Sequence, residues 1–211
     1  MSPSPLPSLP SLPPLPPLSL SPAHAVARQP ALRWSRRGLV TAALASGALA
    51  LAGCAGPRLE DHAGQRPEFD FRRYFDGTVT AHGLVSDRAG KVLRRFVVLM
   101  RCSWVGDTGT LDEAFEYDDG ERQRRVWTVR RRPDGSYTGT AADVLGEALG
   151  ASAGPAFRWQ YTLMLPVRGS VYEVQFDDWM HLVDERSVIN RAMMSKFGVR
   201  LGEVTLAFSR P

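Results

Sequence analysis

Three sets of side chains in this sequence could do chemistry, and each points to a different kind. The first is a single thiol. Cys54 directly follows Leu51-Ala52-Gly53. Small residues at such a junction let a signal peptidase reach the backbone, and the thiol is the nucleophile that takes up a diacylglycerol. Cys54 is therefore the expected lipidation site. The second set is Asp177-Asp178-Trp179 with His181 and Asp184. Carboxylates and imidazoles can bind a divalent cation or move protons. Adjacent residues of a strand face opposite ways, however, and no further His or Cys follows at metal-ligand spacing. The third is a run of acids, Asp112, Glu113, Glu116, Asp118, Asp119 and Glu121, that turns into bases at Arg122, Arg124, Arg125, Arg130, Arg131 and Arg132. Forked guanidiniums suit a phosphate or carboxylate head group. The run also straddles Asp118-Asp119-Gly120, a turn across which a hairpin pairs opposite charges, and this accounts for it more simply.

Other combinations carry less. With Cys54 acylated, Cys102 has no disulfide partner in the chain and reads as a small buried apolar residue. His82 and His181 are not linked to it by any motif. Asp107-Thr108-Gly109 matches the tripeptide of aspartic proteases, but it stands in a turn signal and is not repeated. No nucleophile elbow, phosphate loop or dinucleotide fingerprint is present. The sequence thus predicts no catalytic residue, no metal and no cofactor. Trp104, Trp127, Trp159, Tyr161, Trp179, Met193 and Met194 either fill a core or line a cavity for an apolar ligand. Interiors are normally close packed, so sequence alone leaves both readings open. If there is a ligand, the expected contacts are Arg124, Trp127, Trp159, Tyr161, Asp178 and Trp179.

Elements must position these groups. Residues 1–30 are rich in Pro, Leu and Ser and cannot pack a core. Arg36 and Arg37 then precede an apolar run from Gly38 to Ala52, too short to span a bilayer as a helix, which needs about 20 residues. A basic flank, a short apolar run and small residues before a cysteine make a lipoprotein signal peptide. Ser35-Arg36-Arg37-Gly38-Leu39-Val40 fits a twin-arginine signal as well as an ordinary basic flank. The expected organisation is a leader and signal peptide over 1–53, a polar lipidated tether over 54–68 and a domain over 69–211. Ala55 after the cysteine, in place of Asp, favours the outer membrane on its periplasmic side.

From Phe69 onward short apolar or alternating segments recur between turn signals such as Asp118-Asp119-Gly120, Pro133-Asp134-Gly135 and Gly154-Pro155. Strands are expected near 75–85, 91–102, 108–117, 123–131, 136–146, 156–166, 170–177, 180–184, 187–196 and 200–209. Phe157, Trp159, Tyr161, Leu163 and Leu165 share one face by alternation. Phe96-Val97-Val98-Leu99-Met100 is continuously apolar, as in a strand covered on both faces. The best helix candidate is Asp143–Ala151, weakened by its glycines. The fold class is therefore all-β, an antiparallel meander of about ten strands closing into a lipocalin-like, calycin-type barrel. Such a barrel can hold one small apolar ligand. Charges on both strand faces argue against a membrane-spanning barrel.

Charge narrows the partners. The chain's net charge of +4 comes from residues 1–53, which hold Arg28, Arg33, Arg36 and Arg37 and no acidic residue. The remainder carries 22 basic and 22 acidic side chains. A nucleic-acid partner loses its electrostatic basis.

Together, Tyr74-Phe75-Asp76-Gly77, Arg94-Arg95-Phe96, Gly109-Thr110-Leu111-Asp112-Glu113, Tyr117-Asp118-Asp119-Gly120-Glu121, Arg124-Arg125-Val126-Trp127, Phe176-Asp177-Asp178-Trp179-Met180, Asn190-Arg191, Lys196-Phe197-Gly198 and Gly202-Glu203-Val204-Thr205 carry a family likeness. In combination they resemble a family of bacterial lipoproteins catalogued as domain of unknown function 3833. The resemblance spans the chain after the signal peptide. It implies an envelope lipoprotein with no assigned activity and no transferable functional residue except the acylated cysteine. The expected partners are the membrane, through the lipid on Cys54, and a fatty acid or other lipid bound in the barrel. A packed interaction module of an envelope complex and an enzyme acting on acyl chains are the alternatives.

Overall fold

The computed structural model describes residues 56–167 and 169–211. Cys54 and the leader over 1–53 lie outside the described residues. Ten strands follow one another: β1 (Gly77–Asp87), β2 (Val92–Val105), β3 (Thr108–Tyr117), β4 (Arg122–Arg131), β5 (Tyr137–Thr140), β6 (Val144–Ala153), β7 (Ala156–Val167), β8 (Ser170–Leu182), β9 (Ser187–Lys196) and β10 (Val199–Ser209). Each pairs antiparallel with its chain neighbours, and β10 returns to β1, closing the barrel. Closure leaves no unpaired edge, so every strand can be buried on its inner face without exposing a ladder. The protein is an all-β, lipocalin-like barrel.

Alternation sets what faces inward. On β7 the inner side chains are Phe157, Trp159, Tyr161, Leu163 and Leu165, as the pattern predicts. On β2 they are Phe96, Val98, Met100 and Cys102, all buried. The outward residues of that stretch are not covered. Val97 is 42% and Leu99 38% exposed, so the continuous apolar run is a half-exposed wall rather than a strand between two layers.

Two further expectations are corrected. The segment expected as one strand over 136–146, with a helix candidate over Asp143–Ala151, is the short β5 followed by β6. Val144 and Ala148 lie four apart, a spacing that keeps them on one face of either a helix or a strand. Gly150 decides the outcome. A Cβ there would come within 2.3 Å of the Trp159 ring and 2.6 Å of Phe157, so the bare backbone is what lets these rings pack. A bulge between Leu145 and Leu149 absorbs Gly146 at φ +70°. The segments expected at 170–177 and 180–184 are one continuous strand, β8.

One end of the barrel is plugged by the chain that precedes β1. Phe69, Phe71, Tyr74 and Phe75 are all buried, around a single helical turn over Phe71–Tyr74 whose Asp70 side chain accepts from Arg73 N–H at 3.0 Å. Phe71 stacks on Phe157 with ring centroids 4.4 Å apart and lies 5.1 Å from Tyr137. The plug is tied down by hydrogen bonds. Trp104 Nε1 donates to Phe75 O at 2.7 Å, Tyr74 Oη to Arg186 O at 3.0 Å, and Arg210 to Arg73 O and Asp76 O. Upstream, a 3-10 turn at Leu59–His62 rests on β6 and β7 near the same end. The chain thus enters the barrel from the plugged side, and the hairpins β1–β2, β3–β4, β7–β8 and β9–β10 surround the opposite, open end.

Candidate ligand-binding cavity

Above the plug the barrel is hollow. The cavity measures about 620 Å³, within the ~300–1,000 Å³ usual for small-molecule sites. Its floor is Phe71, Phe75 and Phe208, and its walls are largely apolar, including Val98, Met100, Leu111, Val129, Leu163 and Phe176. Four aromatic side chains form one wall. Trp127 meets Trp159 and Tyr161 edge to face, with centroids 5.7 and 5.3 Å apart, and Tyr161 stacks on Phe176 at 5.0 Å.

Polar groups converge in this apolar shell. Glu113 and Arg125 are directly opposite on β3 and β4, both pointing inward, with 3.8 Å between charged atoms. Arg125 also grips Asp143 through Nε and Nη2, the shortest contact being 2.8 Å. From β8 and β9, Asp178 and Asn190 are diagonal neighbours, with Asp178 opposite Ala192 and Asn190 opposite Met180, and Asn190 Nδ2 donates to Asp178 Oδ2 at 3.4 Å. Asp178 Oδ1 and Asn190 Oδ1 are buried with no hydrogen-bond partner. Buried polar atoms are rarely left so, because desolvation without a bond costs about 1–3 kcal/mol each.

Burial dominates the titration of these groups. It pushes Glu113 up to about 7, against the pull of Arg125, and Asp178 also up to about 7, against its bond from Asn190. The Tyr161 hydroxyl is likewise held well above its ordinary value by burial. Arg125 stays charged, because its bond to Asp143 and the nearby Glu113 outweigh the burial that would lower it. At the mouth, Arg94 lies 3.8 Å over the Tyr117 ring and pairs with Asp119 at 2.8 Å and Glu121 at 3.0 Å.

The structure brings together Trp127, Trp159, Tyr161 and Asp178 on the cavity wall. It does not bring Arg124 or Trp179 there. Arg124 projects from the outer wall, 69% exposed, and forks onto Asp112 at 2.7 and 2.8 Å. This is the cross-strand pairing expected of the charged hairpin, joined on the same face by Glu116 and Arg122. Trp179 also faces outward, over Arg158 and beside His62 and His181. Strand parity explains both: neighbours of inward residues point out. Asp177 is outward too, bonded to Arg158 at 2.6 and 2.8 Å, and Asp184 sits in the β8–β9 turn accepting from Arg186 N–H. The carboxylates and His181 therefore do not converge. Cys102 is buried near the floor, and burial pushes its thiol up to about 12.

Sequence reasoning missed Glu113, Arg125, Asp143 and Asn190 as cavity residues. The signal for two of them was available. Arg125 shares parity with Trp127, and Glu113 with Leu111 and Phe115, so inward aromatic and aliphatic neighbours carry them inside.

A family model described as "Protein of unknown function (DUF3833)" matches residues 48–210. The chain belongs to this family. No curated protein matches it. Among solved structures, the S-type phycobiliprotein lyase CPES from Guillardia theta is similar, with a TM-score of 0.52 and 11% sequence identity over 74% of this chain and 98% of that one. At that identity the likeness speaks for the shared barrel fold.

Proposed function

We propose that this member of the family is a lipid-anchored envelope protein whose barrel binds one lipid-like molecule, an apolar chain with a small polar head. The observation that carries the reading is the cavity itself: closed below by the plug, open at the other end, and aromatic and aliphatic over most of its wall, with polar groups buried within it. A barrel that served only as a packed module would have its interior filled. Exposed Val171 and Phe197 at the open end support entry of an apolar ligand from a membrane. Leu51-Ala52-Gly53-Cys54 after a basic flank and a short apolar run supports acylation of Cys54, and Ala55 in place of Asp supports residence at the outer membrane, facing the periplasm.

A second reading is favoured by one observation. Glu113 and Asp178, both pushed up to about 7, are in the range that suits proton transfer at neutral pH, so an acid–base enzyme acting on the bound molecule fits the same cavity. Among the described residues lining it there is no Ser, Thr, Cys, Lys or His, so a covalent route in this cavity would fall to a carboxylate or to the Tyr161 hydroxyl.

The test is native mass spectrometry of the chain bearing Cys54→Ser, gently purified, together with membrane fractionation of the unaltered chain. The reading expects a co-purified lipid-like adduct at one per chain, and release from the membrane on Cys54→Ser. A chain that emerges empty and takes up no long-chain compound refutes the carrier reading. A Cys54→Ser chain that remains in the membrane refutes the anchor.

A further inference from the structure

The hydrogen-bond inventory of the cavity says which polar head it suits. Its deep cation, Arg125, is engaged on both sides, with Asp143 bound through Nε and Nη2 and Glu113 3.8 Å from Nη1. Its rim cation, Arg94, is held by Asp119 and Glu121. The buried Nε of Arg94 lacks a partner, but it belongs to a guanidinium already paired with two carboxylates. Two buried oxygens deep in the barrel have no partner. Asp178 Oδ1 and Asn190 Oδ1 are both acceptors, both buried, on side chains that line the cavity. The hydrogen bond between these residues runs through Asn190 Nδ2 and Asp178 Oδ2, and the amide oxygen has no partner. Tyr161 and Trp127 stand beside them, their rings packed edge to face.

We infer that the cavity selects a long-chain molecule whose head donates hydrogen bonds, a hydroxyl or an amine, seated on Asp178 and Asn190, and that it disfavours an ionised fatty acid. The inference rests on the carrier reading and narrows it. A carboxylate head brings two more acceptors and a negative charge to a place that holds Glu113, Asp143 and Asp178 against one already paired arginine. A donor head satisfies the two orphaned oxygens directly. An ammonium head gains a charge-assisted bond with ionised Asp178, which is roughly twice as strong as a neutral one. Burial keeps Asp178 partly protonated near neutrality, so the preference for an amine grows as pH rises and the carboxyl ionises.

The experiment uses the full chain with Cys54→Ser, stripped of co-purified lipid. A neutral fluorescent probe, N-phenyl-1-naphthylamine, is bound and then displaced at pH 8 by dodecylamine, dodecanol or dodecanoic acid. The inference expects the amine and the alcohol to displace the probe at about tenfold or more lower concentration than the acid, since one lost or gained charge-assisted bond corresponds to at least that factor. Asp178→Asn keeps the shape but removes the charge, and is expected to abolish most of the advantage of the amine over the alcohol. At pH 5 the advantage of the amine is expected to shrink. Displacement by the acid as well as or better than by the other two overturns the inference and leaves the carrier reading standing. A probe that does not bind at all overturns both. An amine advantage unaltered in Asp178→Asn shows that the head sits elsewhere, and the assignment to Asp178 and Asn190 falls.

Discussion

Asp178 is a carboxylate the fold would be more stable without, and replacing it by Asn tests that quantitatively. An aspartate ordinarily titrates at 3.8, and burial in the barrel pushes this one up to about 7. Below about pH 4 both folded and unfolded chains carry the proton, and the group makes no difference between them. Between about 4 and 7 the folded chain keeps a proton that the unfolded chain has released. Stability therefore falls as pH rises through that window, and the penalty is complete above about 7. Taken at face value the displacement corresponds to ~4 kcal/mol. The effective dielectric of a protein interior is higher than that of a dry medium and reduces this, so ~2 kcal/mol is the working figure. For a domain of this length that is about 4–8 °C in Tm. Asp178→Asn preserves the bond from Asn190 Nδ2 and carries no charge. Thermal unfolding of the ligand-free chain is expected to show Asp178→Asn several degrees more stable at pH 8 and indistinguishable at pH 4. The slope of Tm against pH should be shallower in the variant. Equal or lower stability of Asp178→Asn at pH 8 would refute the account of Asp178 as a buried, uncompensated carboxylate.

Three further outcomes are expected. Arg125→Met leaves Glu113 and Asp143 inside the barrel without their cation and should lower stability by about 3–5 kcal/mol at pH 8, less at pH 5 where Glu113, held at about 7, takes up its proton; urea unfolding at the two pH values measures it. Arg124→Ala removes an outward, exposed pair with Asp112 and should cost at most ~1 kcal/mol, with probe binding unchanged in the displacement assay. Gly150→Val drives a side chain into Trp159 and Phe157 and should cost about 1–3 kcal/mol or more; a red-shifted tryptophan emission would report the displaced ring.

The barrel was legible because period-two alternation and turn chemistry are local. Phe157 to Leu165 declare their inward face without any knowledge of their neighbours. The failures came where a local pattern fits two structures. Val144 and Ala148 suit a helix or a strand equally, and only the ring of Trp159 over Gly150 selects the strand. Val97 and Leu99 look like a doubly covered strand, and only closure of the barrel shows that their outer side meets solvent. The site was half legible. Trp127, Trp159, Tyr161 and Asp178 were reached through residue type, but Arg124 and Trp179 were taken one position away from inward residues, an error that reverses the face. Asn190 could not be found from sequence at all, because its role depends on Asp178 lying across the β8–β9 pair. Whether the interior is filled is a property of packed volume, which no single strand carries.

The central claim, that an apolar chain occupies the barrel, is tested most directly by tryptophan quenching. Two forms of the segment 54–211 with Cys54→Ser each keep one tryptophan, Trp127 on the cavity wall or Trp179 on the outer wall, with Phe at the other tryptophan positions. Titrated with a brominated long-chain alcohol, the Trp127 form should be quenched saturably at one ligand per chain, and the Trp179 form should hardly respond. Equal quenching of both, or none of either, would contradict binding inside the barrel.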